Sequence, residues 1–236
     1  MTMTKDGSWR LERTLRSIGS KASQIVIGID AATRDDTVDR ARRYTKHVYT
    51  IDNVEGYIEP HIGALFEKCT GDWVLRLDDD EVMSTNFDLK AIPDTVLDEF
   101  DLIGFPRAWI VNTDPPFYIG TGAERGQLVP QFRLMKRSAQ WSFISTIHTP
   151  GFKMKPAYVV PDMFLYHLNL VDKSAEARRR TYDFYQNHLD DRGGHWNRTY
   201  LFDPEHLYNT GQGLRCSIEM FPPLDLLRST EREFQA

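Results

Sequence analysis

Thr70-Gly71-Asp72-Trp73-Val74-Leu75-Arg76-Leu77-Asp78-Asp79-Asp80-Glu81 is the stretch on which the fold turns. Trp73 to Leu77 reads as a strand that runs directly into three consecutive aspartates. The segments before it alternate helical and extended patterns. Leu11, Leu15 and Ile18 recur at helical spacing, and Gly19 is a natural stop. Ile25-Val26-Ile27-Gly28-Ile29 follows, a β-branched run with no polar face, as in a strand covered on both sides. Asp35 or Asp36 can cap a second helix facing inward through Val38, Ala41 and Tyr44, and His47 to Ile51 reads as the next strand. A third helix is expected over Glu59 to Cys69, with Gly71 just past its end. This alternation predicts an α/β domain with an open, mostly parallel sheet. Met1 to Thr4 is short and polar for a first strand, yet the helix at Leu11 needs one before it.

Beyond residue 100 the pattern changes. Leu102 to Val111 and Val129 to Met135 are longer strands with polar interruptions, which suits antiparallel pairing in a mixed sheet. Between them, Asn112 to Gln127 carries Pro115, Pro116, Gly120, Gly122 and Gly126 and is expected to be a loop over the site. Ala175 to Leu189 is helical, and the aromatic tail from Gly193 has no readable fold.

A net charge of −5 argues against a general nucleic-acid binder, so the run Arg178-Arg179-Arg180 is read as a solvated helix face. Cys69 and Cys216 alone cannot build a disulfide scaffold or a four-cysteine zinc site. No apolar run reaches the ~20 residues that span a bilayer, and the first residues lack the pattern of a secretion signal; the expectation is a cytoplasmic protein.

In an open α/β sheet, ligands bind beyond the carboxyl ends of the strands, where Asp78, Asp79 and Asp80 stand. On an extended backbone Asp78 and Asp80 would share a side and Asp79 would point away. Two close carboxylates repel unless a cation neutralises them, and hard oxygen ligands select Mg²⁺ or Mn²⁺, which keeps positions open for phosphate. Met83 stands at the sixth position, where a calcium loop of the EF-hand type needs glycine.

Taken together, these segments resemble the family 2 glycosyltransferases, which adopt the GT-A fold. Leu11 to Ile18 is similar to the family's first helix, Ile25 to Thr37 to its second strand and turn, and Thr70 to Glu81 to its metal motif. The resemblance implies a single domain over 1–236: a Rossmann-like nucleotide-sugar-binding half to about 100, a mixed-sheet acceptor half to about 190, then a C-terminal extension. It assigns Asp30, Asp78 and Asp79 to the sugar nucleotide, and Asp80, Asp78 and His167 to Mn²⁺ or Mg²⁺. Pro130 to Arg137, with Trp141 and His148, resembles the acceptor-side segment. Thr149 stands where the family commonly has an acid, so the catalytic base is His148 or an acid elsewhere.

The activity implied is transfer of a sugar from a nucleoside-diphosphate sugar to a carbohydrate or lipid-linked acceptor, with inversion. The lipid-linked case allows peripheral association with a membrane. Two other readings compete. A nucleotidyltransferase also uses paired acids on Mg²⁺, but Lys5-Asp6-Gly7-Ser8 offers only one glycine and one lysine for a triphosphate. The other is a non-catalytic nucleotide- or carbohydrate-binding module of the same fold, which Thr149 keeps open.

Overall fold

The computed structural model describes residues 1–53, 55–113, 116–120, 128–147, 149–188, 198–201, 204 and 214–215. Its first half is a four-stranded sheet. β1 (Thr2–Thr4) lies between β2 (Ile27–Asp30) and β5 (Leu77–Asp78), and β3 (Val48–Ile51) flanks β2. Every pairing in it is parallel, so the carboxyl ends of all four strands share one edge. Short and polar as it is, Thr2–Thr4 holds a central position, and all three residues are buried.

Helix α1 (Ser8–Ile18) ends at Gly19, whose φ of 55° is a left-handed conformation that a side chain would disfavour. Its Leu11 and Leu15 pack with Ile27 and Ile29 of the sheet and with Ala41 of α2 (Thr37–Tyr44). Arg40 of α2 is also buried, donating to Glu12 of α1 at 2.7 Å. The third expected helix is a 3₁₀ turn, Glu59–His61, running into the short α3 (Ile62–Phe66).

The stretch Trp73 to Leu77 is not one strand. β4 (Trp73–Leu75) pairs antiparallel with β9 (Val129–Lys136), whereas β5 pairs with β1 in the parallel sheet. Arg76 is the switch: its N–H donates to the Arg133 carbonyl, and the next N–H, of Leu77, donates to the Met1 carbonyl. One segment therefore ties two sheets together.

The second sheet is mixed. Its spine is β7 (Leu102–Thr113), antiparallel to β9 and to β8 (Pro116–Ile119), and parallel to β10 (Ala157–Val159) and β11 (Leu165–His167). β6 (Glu81–Met83) joins β11, and β12 (Leu214–Arg215) joins β8. The segment from residue 112 is thus in part a β7–β8 hairpin rather than a loop, while 121–127 lie outside the described residues. Fully buried Phe105, Ile103, Leu134 and Leu165 pack with Val96 and Leu97 of α4 (Asp94–Glu99), while Leu102 and Met135, equally buried, pack with Ile62, Leu65 and Phe66 of α3.

α5 (Asn169–Asp172) follows β11 directly, and α6 (Ala175–His188) follows α5. Of the arginine run on α6, Arg179 and Arg180 are solvated, pairing with Asp183 and Glu176 on their own helix. Arg178 is not. It is buried and donates to the carbonyls of Leu170, Lys173 and Tyr200, satisfying backbone acceptors that would otherwise be left unpaired.

Candidate functional site

The carboxyl ends of β1, β2 and β5 open into a cleft of about 910 Å³, within the ~300–1,000 Å³ usual for small-molecule sites. Asp30, Asp78, Asp79, Asp80 and His167 all line it. His148 lies outside the described residues; its neighbour Thr149 lines the same cleft.

Asp30 ends β2 and caps its own turn, accepting from the Ala32 N–H at 2.7 Å. Its second oxygen lies 3.6 Å from the Lys5 ammonium and 3.3 Å from the Asn53 amide. The Lys5–Gly7 turn then crosses back toward the aspartates. Asp6 holds a left-handed φ of 44°, and its carboxylate accepts from the Arg34 N–H at 2.7 Å. Gly7 follows because nothing larger fits: a Cβ there would stand 2.1 Å from Thr4 Oγ1 and 2.3 Å from Asp79 Oδ2.

The three aspartates diverge. β5 ends at Asp78, so strand alternation stops there, and Asp79 and Asp80 belong to a turn. The expectation that Asp78 and Asp80 share a side fails for that reason. Asp78 accepts from Arg133 Nη2 at 2.7 Å and lies 3.5 Å from Arg76. Asp79 accepts from the Thr4 hydroxyl at 2.6 Å and from Arg10 at 3.2 Å. Asp80 faces the late histidine: Oδ1 lies 3.3 Å from His167 Nε2, while Oδ2 accepts from the Asn169 amide at 3.1 Å.

Burial raises the Asp80 pKa, but the charges of His167 and Lys173 and the His167 hydrogen bond outweigh it and hold the carboxyl well below the usual carboxylate range. Asp79 goes the other way. Burial and the charge of Asp80 push it up further than Arg10 and Thr4 bring it down. Asp80 is therefore held ionised although it is buried.

Asp80 and His167 fit a divalent ion by donor type: an ionised carboxylate oxygen and an imidazole nitrogen, 3.3 Å apart, at the edge of a cleft. Asn169 orients the carboxylate from behind, and the edge of Trp109, 4.1 Å away between ring centroids, fixes the imidazole plane. Among the described residues no group of three or more His, Cys, Asp or Glu side chains is placed to hold a metal. A two-donor set needs phosphate oxygens or water to complete the ion, the arrangement Mg²⁺ and Mn²⁺ adopt with nucleotides.

Several residues here carry no sequence signal. Asn169 and Lys173 reach Asp80 only because β11 pairs antiparallel with β6, setting His167 opposite Glu81. Arg133 joins Asp78 to the buried Glu81 at 2.6 Å because β9 pairs with β4 next to the Arg76 switch. The Arg-rich string Arg133 to Arg137 gave no hint of which arginine turns inward.

A profile of the family described as Glycosyl transferase family 2 matches residues 6–158 of this chain. The match runs from the turn after β1 to β10 and takes in Asp30 and Asp78 to Asp80. No curated protein matches. Among solved structures, S. aureus TarS (residues 1–349) is 11% identical over 88% of this chain and 70% of its own, with a TM-score of 0.46. The same protein in complex with UDP-GlcNAc gives 12% identity over 88% and 71%, also at 0.46. CMP:2-keto-3-deoxy-manno-octonic acid synthetase complexed with CTP is 9% identical over 99% and 97%, at 0.36. The family match, with the strand order and the aspartate-lined cleft, carries the assignment: this chain belongs to glycosyl transferase family 2.

Proposed function

We propose that the protein moves a sugar from a nucleoside-diphosphate sugar to an acceptor hydroxyl, with a divalent cation on Asp80 and His167 and with inversion at the anomeric carbon. The observation that carries this is the ionised, buried Asp80 beside His167 at the mouth of a cleft whose far end is Asp30. The base and ribose lie against Asp30 and Asn53, and the diphosphate reaches Asp78 to Asp80 past Lys5 and Arg10. When bound there, Mn²⁺ or Mg²⁺ neutralises the charge that grows on the diphosphate as the glycosidic bond breaks. Lys173, 3.6 Å from Asp80, adds a second positive charge on the same side. Arg133 keeps Asp78 fixed toward the sugar. His148, one residue before the cleft-lining Thr149, is the base that takes the acceptor proton. The acceptor is a carbohydrate or a lipid-linked sugar. No helix among the described residues is long and apolar enough to cross a membrane.

Incubation with a panel of sugar nucleotides tests this, with and without Mn²⁺. Slow metal-dependent release of a nucleoside diphosphate, stopped by a chelator, is the expected result. Release of pyrophosphate from a nucleoside triphosphate, with no hydrolysis of any sugar nucleotide, would make the protein a nucleotidyltransferase instead.

A further inference from the structure

Three arginines reach the cleft from the second sheet and the switch that joins it to the first: Arg76, Arg107 and Arg133. Two of them are neutralised. Arg133 bonds Asp78 at 2.7 Å and Glu81 at 2.6 Å. Arg76 lies 3.5 Å from Asp78 and donates to the Pro150 carbonyl at 3.0 Å. Arg107 has no such partner: among the described residues no carboxylate stands within ion-pair distance of it and no hydrogen bond satisfies it. Among the described residues its Nε is buried with nothing to donate to, its guanidinium carbon lies 5.3 Å from the centroid of the Trp109 ring, and its charge acts on the buried Glu81 carboxyl and Tyr200 hydroxyl without a hydrogen bond to either.

A half-buried guanidinium in direct contact with no anion among the described residues is costly, because it has left water and gained no ion pair in return. Stacking on Trp109 holds the guanidinium plane still while leaving its N–H edge free. That is the pre-organised fork with which arginine grips an oxyanion.

The position says whose oxyanion it is. On β7, Trp109 is paired with His167 and Arg107 with Leu165, so Arg107 stands one strand over from His167 and two residues along, about 4.8 Å across the sheet and about 6.6 Å along the strands. Asp30 lies on the opposite side, in the parallel sheet, with β1 and β5 between. Donor nucleotide and diphosphate occupy that side and already meet Lys5 and Arg10. The acceptor enters from the side of β7.

We propose that Arg107 is the anion-reading residue of the acceptor subsite, so that the acceptor carries a phosphate or carboxylate on the part that enters the cleft. This rests on the donor placement of the preceding section. It defines the substrate class further: an anionic, not a neutral, glycosyl acceptor.

Calorimetric titration of the full chain, saturated with UDP and Mn²⁺ to fill the donor side, tests it with three probes that differ only in charge: sn-glycerol 3-phosphate, D-glycerate and glycerol. The phosphate or the carboxylate probe should bind and glycerol should not. Arg107→Gln should weaken that binding about tenfold or more, as the loss of one charge-assisted contact does, and Arg107→Lys should recover part of it. Phosphatidate vesicles form a further arm. Arg107-dependent binding to vesicles but not to soluble phosphate assigns a lipid-borne anion; the reverse assigns a soluble one. Equal binding of glycerol and its charged analogues, no binding of any probe, or binding that Arg107→Gln and Arg107→Lys both leave unchanged would overturn the proposal. If UDP itself fails to bind, the donor placement falls, and the same titrations on the protein without UDP still decide whether Arg107 reads an anion.

Discussion

Gly7 and Asp80 show what single positions contribute. Gly7 lets Thr4, Asp79 and Arg10 meet around one point, and a methyl group there would fall inside the van der Waals radii of both Thr4 and Asp79. Gly7→Ala is expected to lower stability by about 1–3 kcal/mol in urea denaturation, with nucleotide affinity lost alongside, because relief of the clash displaces Asp79. A stability unchanged from wild type would show that the turn gives way freely. That the three aspartates line a cleft was legible in the sequence, because they follow a strand of an open α/β sheet and ligands bind beyond such carboxyl ends. The direction each one takes was not, because it depends on where β5 ends, and that is set by pairing with Met1 to Met3. Arg10, Arg133, Asn169 and Lys173 were illegible for a related reason: nothing local distinguishes a polar side chain that faces water from one that faces a cleft.

At the scale of elements, two buried charge clusters hold the helices around the site. Glu12 joins α1 to α2, accepting from Tyr44 at 2.9 Å and Arg40 at 2.7 Å. Burial raises its pKa, but the hydrogen bonds from Tyr44 and Arg40 and the charges of Arg16 and Arg40 more than offset this, so the folded value is lowered. A depressed folded pKa means stability that is fully present above the unfolded value of about 4.3 and is lost as pH falls through the folded one. In urea titrations Glu12→Gln should therefore be less stable than wild type at neutral pH, and the gap should close on acidification below about pH 4.3. A gap that widened with acid would reverse the sign of this account.

Arg13 and Asp172 tie α1 to α5 with both side chains 3% exposed. Asp172 closes the short helix that carries Asn169 next to Asp80. Arg13→Met strands a buried carboxylate and should cost about 3–5 kcal/mol, whereas Arg13→Met with Asp172→Leu should recover most of it. Equal losses in single and double variants would mean that packing, not charge, decides. Strand and helix existence was readable from periodicity over most of the first 100 residues. The break at Arg76 was not, since one charged residue within Trp73 to Leu77 is compatible with an unbroken strand and only the pairing partners differ on its two sides.

At the scale of the molecule, the described residues form two sheets that share one segment. The parallel sheet ends its strands on one edge, the mixed sheet brings β6, β7, β9 and β11 against that edge, and the cleft is what remains between them. This arrangement explains why residues far apart in sequence, Asp30, Asp80 and His167, line one space. Under the proposed function, a cation on Asp80 and His167 would find only two protein donors and would need phosphate and water for the rest of its coordination, so ion and nucleotide binding should be coupled.

Thermal unfolding measured with Mn²⁺, with each of a panel of nucleoside diphosphates and with both together tests that coupling most directly. The shift with both should exceed the sum of the separate shifts, because only the ternary complex binds the folded state tightly, and Asp80→Asn should abolish the excess. A nucleotide shift of the same size in the presence of a chelator, or an excess that survives in Asp80→Asn, would contradict the account.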